Sequence, residues 1–273
     1  MVVNTILLIL AVATSGSIYY FTGLYNQWWW IFLFILAIPI LYVIWFLIYL
    51  IPITIVSWFL PTKEEVKKPN RICYWFVRQT CYVVPHLFRA FFKTSGPKFP
   101  NERCLIVSNH TSNFDPMPII WFAKNHPIAC VTKPENMKLP IAGPFIWNCG
   151  FIPIDRENDF NAVKSIIKAA NDIKKDIASV YICPEGTRNH HPENGMLDWH
   201  AGSFKIAFKA QCPIVVVAQT NAHKIAKNFW YKHTNYYIDV VEIIPYEKYK
   251  DWNTQSLANY CKEIVQKKLE ERS

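Results

Sequence analysis

The fold class can be predicted from the stretch CLIVSNHTSNFDP at positions 104–116. Its first four residues are apolar, which predicts a short buried strand. Pro116 is suited to the first position of a helix. The polar residues between them therefore form a turn from strand to helix, which is the repeating unit of α/β proteins.

The alternation of strand and helix continues along the chain. Further strands are predicted at 128–131, 151–154, 180–183, 214–218 and 237–244. The clearest helix covers 160–178, where apolar residues recur at steps of three and four, and Asp159 is a candidate N-cap. Further helices are expected at 204–210 and 254–271. We predict an α/β fold with a mixed, largely parallel sheet flanked by helices.

Two residues of the first turn form a candidate catalytic pair. His110 and Asp115 are five positions apart, so they would not stack on one helix face, but a strand-to-helix turn can bring them together. An aspartate bound to one imidazole nitrogen fixes the tautomer and makes the other nitrogen a better base. A structural histidine that is satisfied within the turn is the alternative.

A second polar motif, Pro184-Glu185-Gly186-Thr187-Arg188, directly follows the strand at 180–183. A glycine in such a loop lets the backbone approach a ligand closely. The arginine offers a planar fork of donors that suits phosphate. An ordinary turn with a surface arginine would look the same, so this motif alone does not decide the function.

Residues 1–62 contain no Asp, Glu, Lys, Arg or His, so all the charge of the chain lies in 63–273. A helix needs about 20 apolar residues to cross a bilayer. The apolar run at 28–60 is long enough for this, and the run at 6–21 is shorter. Pro39 and Pro52 are expected to kink or interrupt the second run. We predict that 1–62 is a membrane anchor with one or two transmembrane helices, rather than a signal peptide, which would carry a basic first region.

The charged part of the chain begins with a basic segment. Its position after the anchor predicts an integral protein of the cell membrane whose catalytic domain faces the cytoplasm. Because the segment 63–95 mixes arginine and lysine with aromatic residues, we predict an amphipathic interfacial segment, with a core helix interrupted near Pro85 as the alternative. The α/β domain is then assigned to 96–273. A net charge of +9 favours an anionic lipid surface over nucleic acid as the partner.

The eight cysteines give no sign of a metal site. The sequence has no C-x-x-C pair, and we expect the thiols to be reduced and mostly buried.

Four short blocks in this order resemble the glycerolipid acyltransferase family. They are Asn-His-x4-Asp at 109–115, GFIPIDR at 150–156, Pro-Glu-Gly-Thr-Arg at 184–188 and PIVVV at 213–217. Four ordered blocks are much more specific than either motif alone. Cys183 departs from the pattern, since many relatives have phenylalanine before the Pro-Glu-Gly.

The resemblance implies a reaction, and within the family it is strongest to the enzymes that acylate lysophosphatidate. His110 would take the proton from the free sn-2 hydroxyl, and Asp115 would orient His110. The hydroxyl would attack the thioester of acyl-CoA or acyl carrier protein, with no cofactor and no metal. Arg156 and Arg188 would bind the acceptor phosphate. Other contributors to that phosphate site would be Glu185, Gly186, Thr187 and Lys133.

Three other functions remain open. An enzyme of the same family could act on glycerol 3-phosphate or on another lysophospholipid. A metal-dependent hydrolase could use the polar residues His190, His191, Glu193, Asp198 and His200, but their spacing matches no zinc motif, so a solvated loop is expected. A membrane scaffold without activity is disfavoured because both His110 and Asp115 are present.

Overall fold

The computed structural model describes residues 2–62, 66–124, 126–155 and 159–272. The chain divides into two compact units, Met1–Pro61 and Thr62–Ser273. The first unit consists of helices α1 (Val2–Phe21) and α2 (Ile31–Phe59), connected by short 3-10 turns at Leu24–Asn26 and Trp28–Trp30. By length and composition, both helices could cross a membrane.

Polar side chains in the first unit bond across the helix pair. Ser15 Oγ donates to the carbonyl of Phe34 at 2.9 Å, and Trp45 Nε1 donates to Thr14 Oγ1 at 3.1 Å. These bonds satisfy groups that a lipid environment could not satisfy. Helix α2 continues through both of its prolines, so the interruption that the sequence suggested as one possibility does not occur.

The second unit alternates helices and strands as the sequence predicted. Its elements are α3 (Arg71–Leu87), β1 (Ala90–Ser95), β2 (Leu105–Ser108), α4 (Pro116–Phe122), β3 (Ile128–Thr132), α5 (Ala142–Asn148), β4 (Ile152–Pro153), α6 (Asp159–Lys174), β5 (Ser179–Ile182), α7 (Lys205–Ala210), β6 (Ile214–Thr220), α8 (Lys224–Asn228), β7 (Thr234–Ile244), α9 (Tyr246–Tyr249) and α10 (Thr254–Glu270).

The strands form one sheet in the order β1-β7-β6-β2-β5-β3-β4. Strands β6, β2, β5, β3 and β4 are parallel, β7 is antiparallel to β6, and β1 is parallel to β7. The carboxyl ends of the five parallel strands therefore lie at the same end of the sheet as the amino ends of β7 and β1. The predicted α/β fold with a mixed, largely parallel sheet is confirmed.

Helices cover both faces of the sheet, because side chains alternate along each strand. Leu105 and Val107 pack into a core that includes buried residues of α6, α7 and α10. Ile106 points the other way, into a core shared with α3, α4 and α8. The central strands β2 and β5 are fully buried, so the residues that directly follow them start from fixed positions.

The residues before the suggested boundary at 96 form elements of the second compact unit. Residues 90–95, which the sequence assigned to the interfacial segment, form the edge strand β1, which pairs with β7. Helix α3 belongs to the same unit, with Cys73, Cys81 and Val83 buried. The helix also continues through Pro85 to its last residue, Leu87, so the interruption that the sequence suggested near Pro85 is not present. The α/β unit therefore includes the segment that the sequence analysis assigned to the interface.

Candidate active site

The carboxyl end of β2 leads into the predicted catalytic pair. β2 ends at Ser108, and the chain turns through 109–115 before α4 begins. Within this turn, His110 Nδ1 lies 2.8 Å from Asp115 Oδ2. Because a carboxylate only accepts hydrogen bonds, Nδ1 donates and Nε2 is left as the basic nitrogen. The turn thus brings together the two residues that are five positions apart in sequence.

The carboxylate of Asp115 is held by the backbone of its own turn. The residue is 0% exposed, and Oδ2 also accepts hydrogen bonds from the N–H groups of Thr111 at 2.7 Å and Ser112 at 2.9 Å. These bonds wrap the turn around the carboxylate. The aspartate that precedes α4 therefore both shapes the turn and orients His110.

A buried polar network behind Asp115 joins β2, β5, β6 and β7. The hydroxyl of Tyr236 lies 3.3 Å from Asp115 Oδ1 and also contacts Gln219 Oε1. Gln219 Nε2 donates to Ser108 Oγ at 2.8 Å and to Tyr181 Oη at 2.9 Å. Since unpaired buried polar groups are costly, this network favours one position of the carboxylate. The sequence analysis missed Tyr236 and Gln219, whose only signal is their polarity within or next to apolar strands.

Asn109 ties the catalytic turn to β6. Its side-chain oxygen accepts a hydrogen bond from the N–H of Gln219 at 2.8 Å, and its amide donates to the carbonyl of Gln219 at 2.9 Å. Only a side chain with both an acceptor and a donor can pair with a strand backbone in this way. This explains why an asparagine precedes the histidine.

Glu185 supports the catalytic turn from behind. Its Oε1 accepts a hydrogen bond from the N–H of His110 at 2.8 Å, while the carbonyl of His110 accepts one from the N–H of Asn189 at 2.7 Å. Glu185 is 3% exposed, and burial raises its pKa to about 7, although the bond from His110 acts in the opposite direction. Glu185 was predicted from the sequence to shape the acceptor site, and in the structure its hydrogen bond from His110 connects the two motifs.

His110 borders a cavity of about 410 Å³. Its wall includes Gly186, Thr187 and Arg188 of the second motif, together with Lys133. Gly186 has a φ of 73°, in the left-handed region that glycine occupies without strain. Two cationic side chains therefore line the cavity that holds the histidine. Arg156, which the sequence analysis also assigned to the phosphate site, lies outside the described residues.

Two cysteines, Cys130 and Cys183, line the same cavity. All eight cysteines are free, and Cys183 alone among them is not buried, so the expectation of reduced and mostly buried thiols is confirmed. Cys183 Sγ lies 3.1 Å from the hydroxyl of Tyr181. Burial lowers the pKa of His110, but the neighbouring Cys183 and Asp115 outweigh burial and raise that pKa to about 10.

Polar side chains of the loop after Arg188 pair with separate partners. His191 Nδ1 pairs with Glu193 at 3.1 Å, and Asp198 pairs with Lys262 at 2.7 Å. In the part of the chain that the structure describes, no group of three or more His, Cys, Asp or Glu side chains could hold a metal ion.

The chain matches known proteins over the elements that build this cavity. The family model described as "Acyltransferase" matches residues 91–220, from β1 to the end of β6. The 1-acyl-sn-glycerol-3-phosphate acyltransferase of Haemophilus influenzae is 30% identical over 171 residues, which cover 62% of this chain and 70% of the relative. The enzyme of the same name from Escherichia coli is 29% identical over 61% of this chain and 67% of its own length.

A solved structure extends the likeness to the whole chain. The crystal structure of the 1-acyl-sn-glycerophosphate (LPA) acyltransferase from Thermotoga maritima superposes with a TM-score of 0.62 at 16% identity, covering 99% of this chain and 96% of the other. This protein belongs to the acyltransferase family and is an O-acyltransferase. The family resemblance that four ordered blocks indicated is confirmed.

Proposed function

We propose that this enzyme transfers an acyl chain from a thioester to the sn-2 hydroxyl of 1-acyl-sn-glycerol 3-phosphate, giving phosphatidic acid. The observation that carries the proposal is the composition of one cavity, in which His110, oriented by a buried Asp115, stands with the cations Arg188 and Lys133. A base and a phosphate-binding group in one cavity are what a phosphorylated alcohol needs as acceptor. The names of the relatives support the same acceptor.

The proposed reaction begins with the neutral form of His110. Its Nε2 accepts the proton of the sn-2 hydroxyl while the oxygen attacks the thioester carbonyl. The tetrahedral intermediate then collapses, the C–S bond breaks, and the thiol leaves with the proton that His110 returns. Asp115 stabilises the imidazolium between the two proton transfers. The acceptor itself is the nucleophile, so the scheme needs no acyl-enzyme and no cofactor.

The remaining residues of the cavity would hold the two substrates. Arg188 can form a charge-assisted contact with the phosphate, and Lys133 adds a second positive charge. Apolar side chains also line the cavity, among them Val131, Phe151 and Ile182, and they suit the first carbons of the acyl chain. The donor would be acyl-CoA or acyl carrier protein.

We further propose that the helix pair anchors the enzyme in the cell membrane, with the catalytic unit on the cytoplasmic side. Two long apolar helices support the anchor. The basic residues Lys67, Lys68 and Arg71 follow the second helix, which supports a cytoplasmic position for what comes after. The acceptor and the product are both membrane lipids, so an anchored enzyme meets them where they are.

An assay of the purified full chain tests the proposal. The protein in mixed micelles would be given acyl-CoA or acylated carrier protein with lysophosphatidate, glycerol 3-phosphate, or lysophospholipids that carry larger headgroups, and the lipid products would be identified by mass spectrometry. We expect phosphatidic acid from lysophosphatidate at the highest kcat/KM, with no product from the His110→Ala variant. A higher kcat/KM with another acceptor would replace lysophosphatidate as the substrate.

A further inference from the structure

A surface patch at the edge of the sheet exposes large aromatic rings among basic side chains. Trp230 is 84% exposed, Tyr231 61% and Phe91 46%. The patch also contains exposed cationic residues. We define it by Arg89, Phe91, Lys227, Trp230, Tyr231 and Lys232. Exposed aromatic rings of this size are unfavourable in water, so their grouping indicates a surface that is covered in use.

Two stretches without acidic residues meet at this patch. Neither 66–101 nor 199–238 contains an Asp or a Glu. The pairing of β1 with β7 joins them, since the N–H of Thr234 donates to the carbonyl of Arg89 at 2.9 Å and the rings of Phe91 and His233 lie 6.1 Å apart. The fold therefore concentrates positive charge at one place, although the segments are far apart in sequence.

The exposed rings are presented by a well-held turn. Asn228 is 5% exposed, and its carbonyl accepts hydrogen bonds from the N–H groups of Tyr231 at 3.1 Å and Lys232 at 3.0 Å. Its side chain also donates to Thr234 Oγ1 at 2.9 Å. These bonds fix the backbone of the turn that exposes Trp230. Less conformational entropy is therefore lost when the turn binds a surface.

The patch is connected to the catalytic turn through a series of aromatic ring contacts, which are tilted or edge-to-face. The ring centroids of Trp230 and Phe229 lie 4.6 Å apart, those of Phe229 and Phe88 5.0 Å, and those of Phe88 and Phe114 5.2 Å. Phe114 immediately precedes Asp115. Both the patch and the catalytic pair lie on the edge of the sheet where β2 ends and β7 begins.

We propose that this patch docks the α/β unit onto an anionic lipid surface, beside the catalytic turn. Tryptophan and tyrosine favour the headgroup region of a bilayer, and lysine and arginine are attracted to anionic headgroups. Both kinds of residue are present here without a single acidic side chain. The segment 63–95, which the sequence predicted to be interfacial, contributes only residues near its end; the remainder comes from α8 and the turn that follows it.

An acidic protein, such as a carrier of acyl groups, is the other kind of partner that a basic patch could bind. The aromatic residues favour the bilayer, because a contact made by charge alone has no use for three exposed rings. A bilayer is also the surface beside which a chain with two such apolar helices would lie. The two partners predict different results in one experiment.

The test measures the reactivity of lysines in the full chain with an acetylating reagent. The protein would be placed in nanodiscs of neutral lipid, in nanodiscs with anionic phosphatidylglycerol, and in detergent with or without an acidic carrier protein. Labelling of Lys227 and Lys232 would be read by peptide mass spectrometry. Lys174 and Lys175, which are exposed at the end of α6 and beyond, serve as internal references. No substrate is present, so the result does not depend on the acceptor or on activity.

We expect Lys227 and Lys232 to react at least about fivefold more slowly in anionic than in neutral discs, with the difference lost at high salt. Lys232→Ser should reduce the protection of Lys227 by about fivefold, because each basic residue near an anionic surface contributes about that factor. The matched control is Lys164→Ser: Lys164 covers the exposed ring of Phe160 at 4.2 Å, much as Lys232 covers Tyr231 at 5.8 Å.

Equal labelling in neutral and anionic discs would overturn the proposal. Protection that appears only when the acidic carrier protein is added in detergent would also overturn it, in favour of a protein partner. An equal effect of Lys164→Ser and Lys232→Ser on Lys227 would show that overall charge is responsible and that the patch is not.

Discussion

The two sides of the active-site cavity differ in how their residues are held. On one side, Asp115 is fully buried and lies within hydrogen-bond distance of two backbone amides, His110 and Tyr236. On the other side, Arg188 and Lys133 are exposed side chains that border the cavity. The buried side holds its groups in fixed positions, and the exposed side supplies positive charge. Changes on the buried side should therefore act on kcat, whereas changes on the exposed side should act on KM.

The largest expected effect is that of His110→Ala. Removal of the base should lower kcat about 10³-fold, with little change in the KM for lysophosphatidate, because the cations across the cavity remain. Steady-state kinetics in mixed micelles measures both constants, and circular dichroism checks the fold. Asp115→Asn should also reduce kcat strongly, since an amide can present its N–H to Nδ1 and so select the wrong tautomer. Substantial turnover by His110→Ala would exclude it as the base.

Arg188→Ala tests the exposed side. We expect the KM for the lysophospholipid to rise about tenfold with kcat nearly unchanged, because a charge-assisted contact in a partly solvated site is lost. Arg188→Lys should recover part of the loss, since the charge returns without the planar fork. Lys174→Ala, an exposed cation at the end of α6, is the control. If Arg188→Ala lowered kcat and left KM unchanged, the division between the two sides would be wrong.

The pH profile of kcat/KM tests the influence of Cys183 on His110. Because Cys183 and Asp115 raise the pKa of His110 to about 10, the imidazole is charged below that pH and cannot act as a base, so kcat/KM should rise with pH. Cys183→Ala should lower this pKa, move the acidic limb of the profile to lower pH, and increase the fraction of neutral His110 at pH 7.

The control for the pH profile is Cys130→Ala. Cys130 lines the same cavity but is buried, and it is not among the groups that raise the pKa of His110. We expect its profile to follow that of the unchanged enzyme. Superimposable limbs for Cys183→Ala and the unchanged enzyme would contradict an influence of the thiol on the base.

The smallest expected effect is that of chelation. Exhaustive treatment with EDTA should leave acyl transfer unchanged, and His200→Ala should change kcat/KM by less than about twofold, within the range usual for exposed side chains outside a site. The lipid product assay measures both. Loss of activity in EDTA that zinc restores would assign the reaction to the polar loop after Arg188.

The parts of the fold and site that depend on local sequence were predictable. The strand at 104–107, the turn with His110 and Asp115, and the helix from Pro116 are contiguous, so their pattern carries the structure. The same holds for Gly186, Thr187 and Arg188 after β5. The sequence therefore predicted which residues follow the carboxyl ends of β2 and β5, where the candidate active site lies.

The parts that depend on distant partners could not be read locally. Strand β1 has the basic and aromatic composition of an interfacial segment, and its pairing with β7 is set by residues far along the chain. Glu185 belongs to a polar motif that ends in Arg188, so it suggested a substrate contact, and its hydrogen bond from the N–H of His110 comes from a turn far away in sequence. Tyr236 reaches Asp115 only because β7 runs opposite to β6.

The late position of β7 in the chain has a consequence for the order of events during synthesis. The apolar helices are made first, and the catalytic turn follows well before residues 234–244. Until β7 is added, β6 presents an unpaired strand edge, β1 has no neighbour, and Asp115 lacks the hydroxyl of Tyr236. Pairing between such distant segments folds slowly and leaves apolar edges exposed in the meantime. A nascent chain thus acquires its anchor early and its complete active site last.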